Sequence, residues 1–163
     1  MVDKVAEIRA EKTASYQGLR ELFGGLGEAD WSVPAQGHAG GWTVRDTLTH
    51  LVTAGPGLLR AAQLLAEGRL QMRPDFDLDL WNQRQVQKQS ERTTAELLAD
   101  LAALHRDMLA YLDTLVGADA KVVLGRRGQH AFFGETTVEY VLRRIYQHER
   151  EHAAELRQAL AGR

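Results

Sequence analysis

His148 and His152 stand four residues apart in the run His148-Glu149-Arg150-Glu151-His152, inside a strongly helical stretch near the end of the chain. On a helix this spacing stacks the two imidazoles on one face, with Cβ atoms roughly 5–6 Å apart, a separation that a divalent metal bridges. The run also satisfies the His-Glu-x-x-His and His-x-x-Glu-His protease patterns, in which the glutamate serves as general base. Both patterns need a further ligand downstream. The residues after His152 contain no His or Cys, and their one acid, Glu155, stands where the longer pattern has glycine. A third ligand must therefore come from upstream.

The elements that would carry such a ligand are legible from periodicity and caps. Val5, Ile8, Tyr16, Leu19 and Phe23 mark a first helix from about Lys4, stopped by Gly24-Gly25-Leu26-Gly27. Residues 28–41, with Trp31, Pro34 and His38, read as a long irregular loop. Thr43-Val44-Arg45-Asp46 has the form of a capped helix start, and Val44, Leu48, Leu51, Val52, Leu58 and Leu59 give the second helix its stripe. His50 falls to one side of that stripe, beside Thr43, Thr47 and Ala54, so it is either a solvated histidine or a ligand. Gly55-Pro56-Gly57 is expected to kink or break this helix before it resumes to about Glu67.

Asp75-Phe76-Asp77-Leu78-Asp79 resembles a calcium loop only superficially, because Leu80 and Val86 occupy its glycine and glutamate positions. Asp77 or Asp79 is more simply the cap of a third helix, Leu80 to Ser90, which is so polar that it lies on the surface or faces a cavity. Thr93 to Glu96 is a capping box that opens a fourth helix with Leu97, Leu101, Leu104, Met108, Leu112 and Leu115 on one face, ended by Gly117. His105 sits at the margin of this stripe and reads as a packing histidine. Lys121-Val122-Val123-Leu124 is a short β-branched run, and residues 125–134 form a structured loop or irregular hairpin. Thr136 to Glu139 launches the final helix, to about Leu160. His152 and Glu149 fall inside its apolar stripe, and His148 on its edge. These elements point to an all-α fold, an antiparallel four-helix bundle with irregular connecting loops, in a single domain spanning 1–163.

Trp42 to Leu51, together with Gly134 to Glu139 leading into His148-Glu149-Arg150-Glu151-His152, resembles the DinB-like superfamily, also called YfiT-like metalloenzymes, which is related to the N-terminal domain of mycothiol-dependent maleylpyruvate isomerase. The resemblance covers nearly the whole chain. It implies a four-helix bundle in which His50, His148 and His152 hold a divalent metal, and often a homodimer. The isomerase branch typically carries Glu where this chain has His148, which sets the chain nearer the three-histidine branches. Activities in relatives include metal-dependent hydrolysis and transfer of low-molecular-weight bacterial thiols.

Three imidazoles suit zinc or nickel, with iron as a further option, and leave a coordination position for water or substrate. Glu149 is read as a catalytic base, as a partner that orients a ligand imidazole, or as the counterion of a buried cation such as Lys12 or Arg84. Trp42, Trp81, Asn82 and Arg84 are candidates for the wall of a substrate pocket; His38 and His130 are loop histidines that could cover a site, although such residues are ordinarily solvated. A di-iron bundle is excluded, since only one Glu-x-x-His pair, Glu149 with His152, exists.

Composition narrows the function further. With 20 basic and 22 acidic residues, a net charge of −2 and no basic block, the chain has no footprint for nucleic acid. The absence of cysteine excludes a thiolate site and a cysteine nucleophile, so any thiol must be a cosubstrate. No apolar run approaches the ~20 residues of a membrane span, and the charged N-terminus is unlike a signal peptide, so a cytoplasmic protein is expected. Two functions remain: a metal-dependent hydrolase or thiol transferase acting on a small molecule, or a small-molecule binding or sequestering protein without turnover, connected with stress resistance.

Overall fold

The computed structural model describes residues 3–35 and 41–163; His38 lies outside them. The chain forms α1 (Lys4–Gly24), a 3-10 turn (Glu28–Ser32), α2 (Val44–Ala66), α3 (Leu78–Lys88), α4 (Thr94–Asp113), α5 (Gly117–Leu124), strands β1 (Arg127–His130) and β2 (Gly134–Thr137), and α6 (Val138–Ala161). Among the described residues, no helix is long and apolar enough to cross a membrane.

Local chemistry fixes most of these boundaries. Asp3 caps α1, Asp77 caps α3, and Thr43 and Thr93 form capping boxes with Asp46 and Glu96. The final helix departs slightly from expectation. Thr137 caps it by accepting from Tyr140 N–H, while Glu139 pairs with Lys4 and Arg143 instead of closing a box. Lys121–Leu124 ends α5 rather than forming a strand, with Leu124 buried. The fourth helix stops at Asp113, short of Gly117, where the Thr114 hydroxyl donates back to Tyr111 O.

The largest departure is in α2, which runs without a break through Gly55-Pro56-Gly57. Pro56 is exposed, and Gly55 is buried where a Cβ would meet Leu104 Cδ2 at 2.2 Å. Packing of α2 against α4 and α6 outweighs the one hydrogen bond that the proline removes.

The four long helices α1, α6, α2 and α4 pack in that cyclic order. Ion pairs Lys4–Glu139 and Lys12–Glu149 show α1 and α6 running parallel, whereas Arg9–Asp113 and the Tyr16–His105 stack show α1 and α4 antiparallel. The start of α2 packs with the end of α6 and the end of α2 with the start of α6, so this pair is antiparallel as well. α2 and α4 therefore run in the same direction, and the segment containing α3 returns the chain between them.

The core is split into two apolar clusters along the bundle. One contains Ile8, Leu59, Met108 and Ile145; the other contains Leu19, Leu48, Leu101 and Leu156. Between them lies a polar layer: Lys12, Ser15 and Glu149 where α1 meets α6, and His50 with His152 where α2 meets α6.

Candidate metal centre

His50 is only 4% exposed, which removes the solvated alternative. All six residues from Thr47 to Val52 are buried, because α2 is covered by α3 as well as by its bundle neighbours. A pairing of Pro34 with Thr43 ties the preceding loop to the start of α2 and sets Trp42 over the site, its ring 4.9 Å from that of His50.

The three histidines converge. Nε2 of His148 lies 3.0 Å from Nε2 of His50 and 2.9 Å from Nε2 of His152. The three ligand atoms lie within 4.8 Å of one another. Nitrogens sharing one ion at bonds of about 2.0–2.1 Å are spaced roughly 3 Å apart, so the donor set fits a divalent metal. His152 adds a second fit: its Nδ1 donates to Glu155 Oε2 at 2.8 Å, which leaves Nε2 with the lone pair a metal requires. His50 and His152 are buried while His148 is partly open, and this is the edge that a ligand can approach.

Glu149 is 2% exposed and points to the other half of the polar layer. Its Oε1 accepts from Lys12 Nζ at 2.6 Å, and its Oε2 from the Ser15 hydroxyl at 2.8 Å. Both carboxylate oxygens are thus committed to α1, the counterion arrangement that the sequence left as one of three options.

A cavity of about 450 Å³ adjoins His50 and His148, a size suited to a small organic molecule. Trp81 and Asn82 of α3 line it, joined by Leu58 and Leu64 of α2 and Phe133 of the hairpin. The other two pocket candidates fall elsewhere: Trp42 packs on the His50 ring, and Arg84 is exposed and does not line the cavity.

Other polar residues of the wall include Arg144, which the sequence did not single out, and His130, one of the two loop histidines that could cover a site. Arg144, one turn before His148, forks onto Glu151 at 2.8 and 3.1 Å. His130 is 8% exposed and stacked on Phe133 at 4.4 Å, and burial pushes its imidazole pKa down. The signal for His130 was the compact turn His130-Ala131-Phe132-Phe133-Gly134, in which its ring accepts backbone N–H groups and is drawn inward. His105 is a packing residue as expected, stacked on Tyr16 at 4.3 Å.

Among curated proteins, none matches this chain in sequence. Among solved structures, one similar chain is YfiT from Bacillus subtilis, described as a probable metal-dependent hydrolase with an unusual four-helix bundle topology; it is 21% identical, with a TM-score of 0.77 over 98% of this chain and 88% of that one. At that identity the likeness establishes the bundle fold. The model of the DinB superfamily matches residues 13–156, and the chain belongs to that superfamily.

Proposed function

We propose that this protein is a metal-dependent enzyme acting on a small molecule, with His50, His148 and His152 holding one divalent ion. Zinc or nickel suits the all-nitrogen donor set best, with iron next. The observation that carries the reading is the convergence of three imidazole Nε2 atoms beside a mostly apolar cavity. The description of YfiT as a probable metal-dependent hydrolase supports it from a chain of the same fold. A bound ion of this kind lowers the pKa of water or a thiol and polarises a carbonyl.

The chain's own residues define the rest of the site. Glu155 fixes the His152 tautomer, and Trp42 packs against the His50 ring. Glu149 acts as a structural counterion, since both its oxygens are taken. The cavity supplies the binding surface for hydrolysis or for transfer of a low-molecular-weight thiol, which must come from solution because the chain has no cysteine.

The test is metal content of tag-free protein, wild type against His148→Ala. About one ion per wild-type chain and loss of nearly all of it in the variant is expected from three-ligand binding. Equal metal in the two proteins would sink the ligand assignment. Turnover of small electrophiles with and without added thiol then separates hydrolase from transferase, and the absence of any turnover by metal-loaded protein would favour the binding reading.

A further inference from the structure

The cavity beside His50 and His148 is long and narrow. On α2 it is lined by His50, Ala54, Leu58, Ala61 and Leu64, with Gly57 and Arg60 beside them, a single face at helical spacing. From His50 to Leu64 that face rises about 21 Å. The antiparallel α6 lines only the histidine end, through Arg144 and His148, and the hairpin lines the other through His130, Phe132 and Phe133. Arg126 donates to Ala66 O and Gly128 sits against Leu65, which hold the hairpin at the far end of α2. Residues 70–82 roof the slot between these ends: Arg69 N–H donates to Leu64 O, and Arg45, near the start of α2, donates to Gln89 O at the end of α3. A volume of about 450 Å³ spread along that length leaves a section on the order of 20 Å². This is room for one extended chain and not for a compact cage.

The lining is apolar beyond what the core needs. Leu64, Met72, Phe76, Leu78 and Trp81 line the cavity but belong to neither apolar cluster of the core. Phe76 and Phe132, both exposed, put apolar surface at its rim. Ala54, Gly57 and Ala61 keep the α2 wall clear of large side chains. Polar residues leave the middle of the slot uninterrupted. Arg60 and Gln71 are exposed, so their polar ends reach water. Arg144 is forked onto Glu151, Oδ1 of Asn82 is closed off from the cavity, and His130 lies at the hairpin end. Among the described residues no carboxylate lines the cavity. Such a wall gains most from a ligand that covers apolar surface along its whole length.

We propose that the slot seats an unbranched apolar arm of the substrate, laid along α2 from the histidines toward the hairpin. The substrate class is then a medium-chain acyl or alkyl compound whose polar reacting group lies at the metal. The inference rests on the metalloenzyme reading for which end reacts, and adds the shape and polarity of the rest of the molecule.

Calorimetric titration of the zinc-loaded full chain with acetohydroxamate, hexanohydroxamate, decanohydroxamate and adamantane-1-carbohydroxamate tests it, the hydroxamate serving as a metal-binding head. Affinity should rise about threefold for each methylene that enters the slot. The adamantane cage, with a carbon count close to that of decanohydroxamate, should bind far more weakly than that chain. Ala54→Leu, one turn from His50, narrows the slot near its start; it should flatten the series and leave acetohydroxamate unchanged. Leu58→Gln, a turn further on, should weaken decanohydroxamate about tenfold, and keeps the test alive if Ala54→Leu fails to fold. A flat series in wild type, a cage bound as tightly as decanohydroxamate, or an undiminished slope in both variants overturns the proposal. Metal content of the loaded protein, with hexanol and decanol binding by metal-free protein, separates the two readings. A chain-length slope in the alcohols without stoichiometric metal in the loaded sample defeats the metalloenzyme reading and leaves the slot intact; stoichiometric metal with no chain-length slope does the reverse.

Discussion

Lys12 has no solvent exposure, and its ammonium is held by Glu149 at 2.6 Å. Removing one member of such a pair leaves an uncompensated buried charge, so Lys12→Met should destabilise the fold by about 3–5 kcal/mol. The double replacement Lys12→Met with Glu149→Leu should recover most of that loss, because neither charge then remains to be desolvated. Urea denaturation of the three proteins checks this, and a double variant no more stable than the single one would contradict it. At this scale the sequence was informative wherever a polar residue broke an apolar stripe. Glu149 demanded a partner, and Lys12 was one of the two cations considered; Arg84, the other, is exposed. His50 could be seen to lie off its stripe, but its burial depends on α3 covering that side of α2, which no periodicity within α2 encodes. The burial of His130 was hidden for a similar reason, since its inward position comes from the backbone geometry of a tight turn.

At the scale of elements, α2 offers a pair of glycines with opposite expectations. Gly55→Ala would drive a Cβ to 2.2 Å from Leu104 Cδ2, forcing a buried side chain to move. Overpacking of this kind costs about 1–3 kcal/mol, more than the roughly 1 kcal/mol gained in helix propensity. Gly57 is exposed and a Cβ there meets nothing within 4 Å, so Gly57→Ala should stabilise by about 0.5–1 kcal/mol. Thermal melts of both variants should move in opposite directions; a rise for Gly55→Ala would show that α2 and α4 are less closely packed than described. The four long helices were readable because caps and apolar spacing agreed. Of the kink or break expected at Gly55-Pro56-Gly57, the break does not occur, because a local helix breaker was weighed without the helices packed around it. The run Lys121–Leu124 was read only as β-branched, and those residues are carried by a short helix whose one buried anchor at that end is Leu124.

For the molecule as a whole, pH should modulate stability through His105. Burial, and then the positive charges of Lys12, Arg106 and Arg9, push its imidazole pKa down to about 4. The unfolded chain protonates this residue near its ordinary value of about 6.5, so the unfolded state binds more protons between those limits. Stability therefore falls as pH drops from about 6.5 to about 4 and levels off below, with a loss of about 2 kcal/mol attributable to this residue after discounting for its partial exposure. Denaturant titrations of metal-free protein at pH 7 and pH 5 should show a smaller difference in His105→Gln than in wild type; identical pH dependence would remove His105 as the cause. The polar layer that contains the histidine cluster has one more consequence, for the order of events during synthesis. His50 and His148 are 98 residues apart in the chain, and α6 is made after α1 to α5. Closing so long a loop precedes any contact between the two rings. A nascent chain that has released α1 to α5 holds only one of the three imidazoles, so under the proposed metal reading ion capture at this site would mark the docking of α6 onto the other bundle helices.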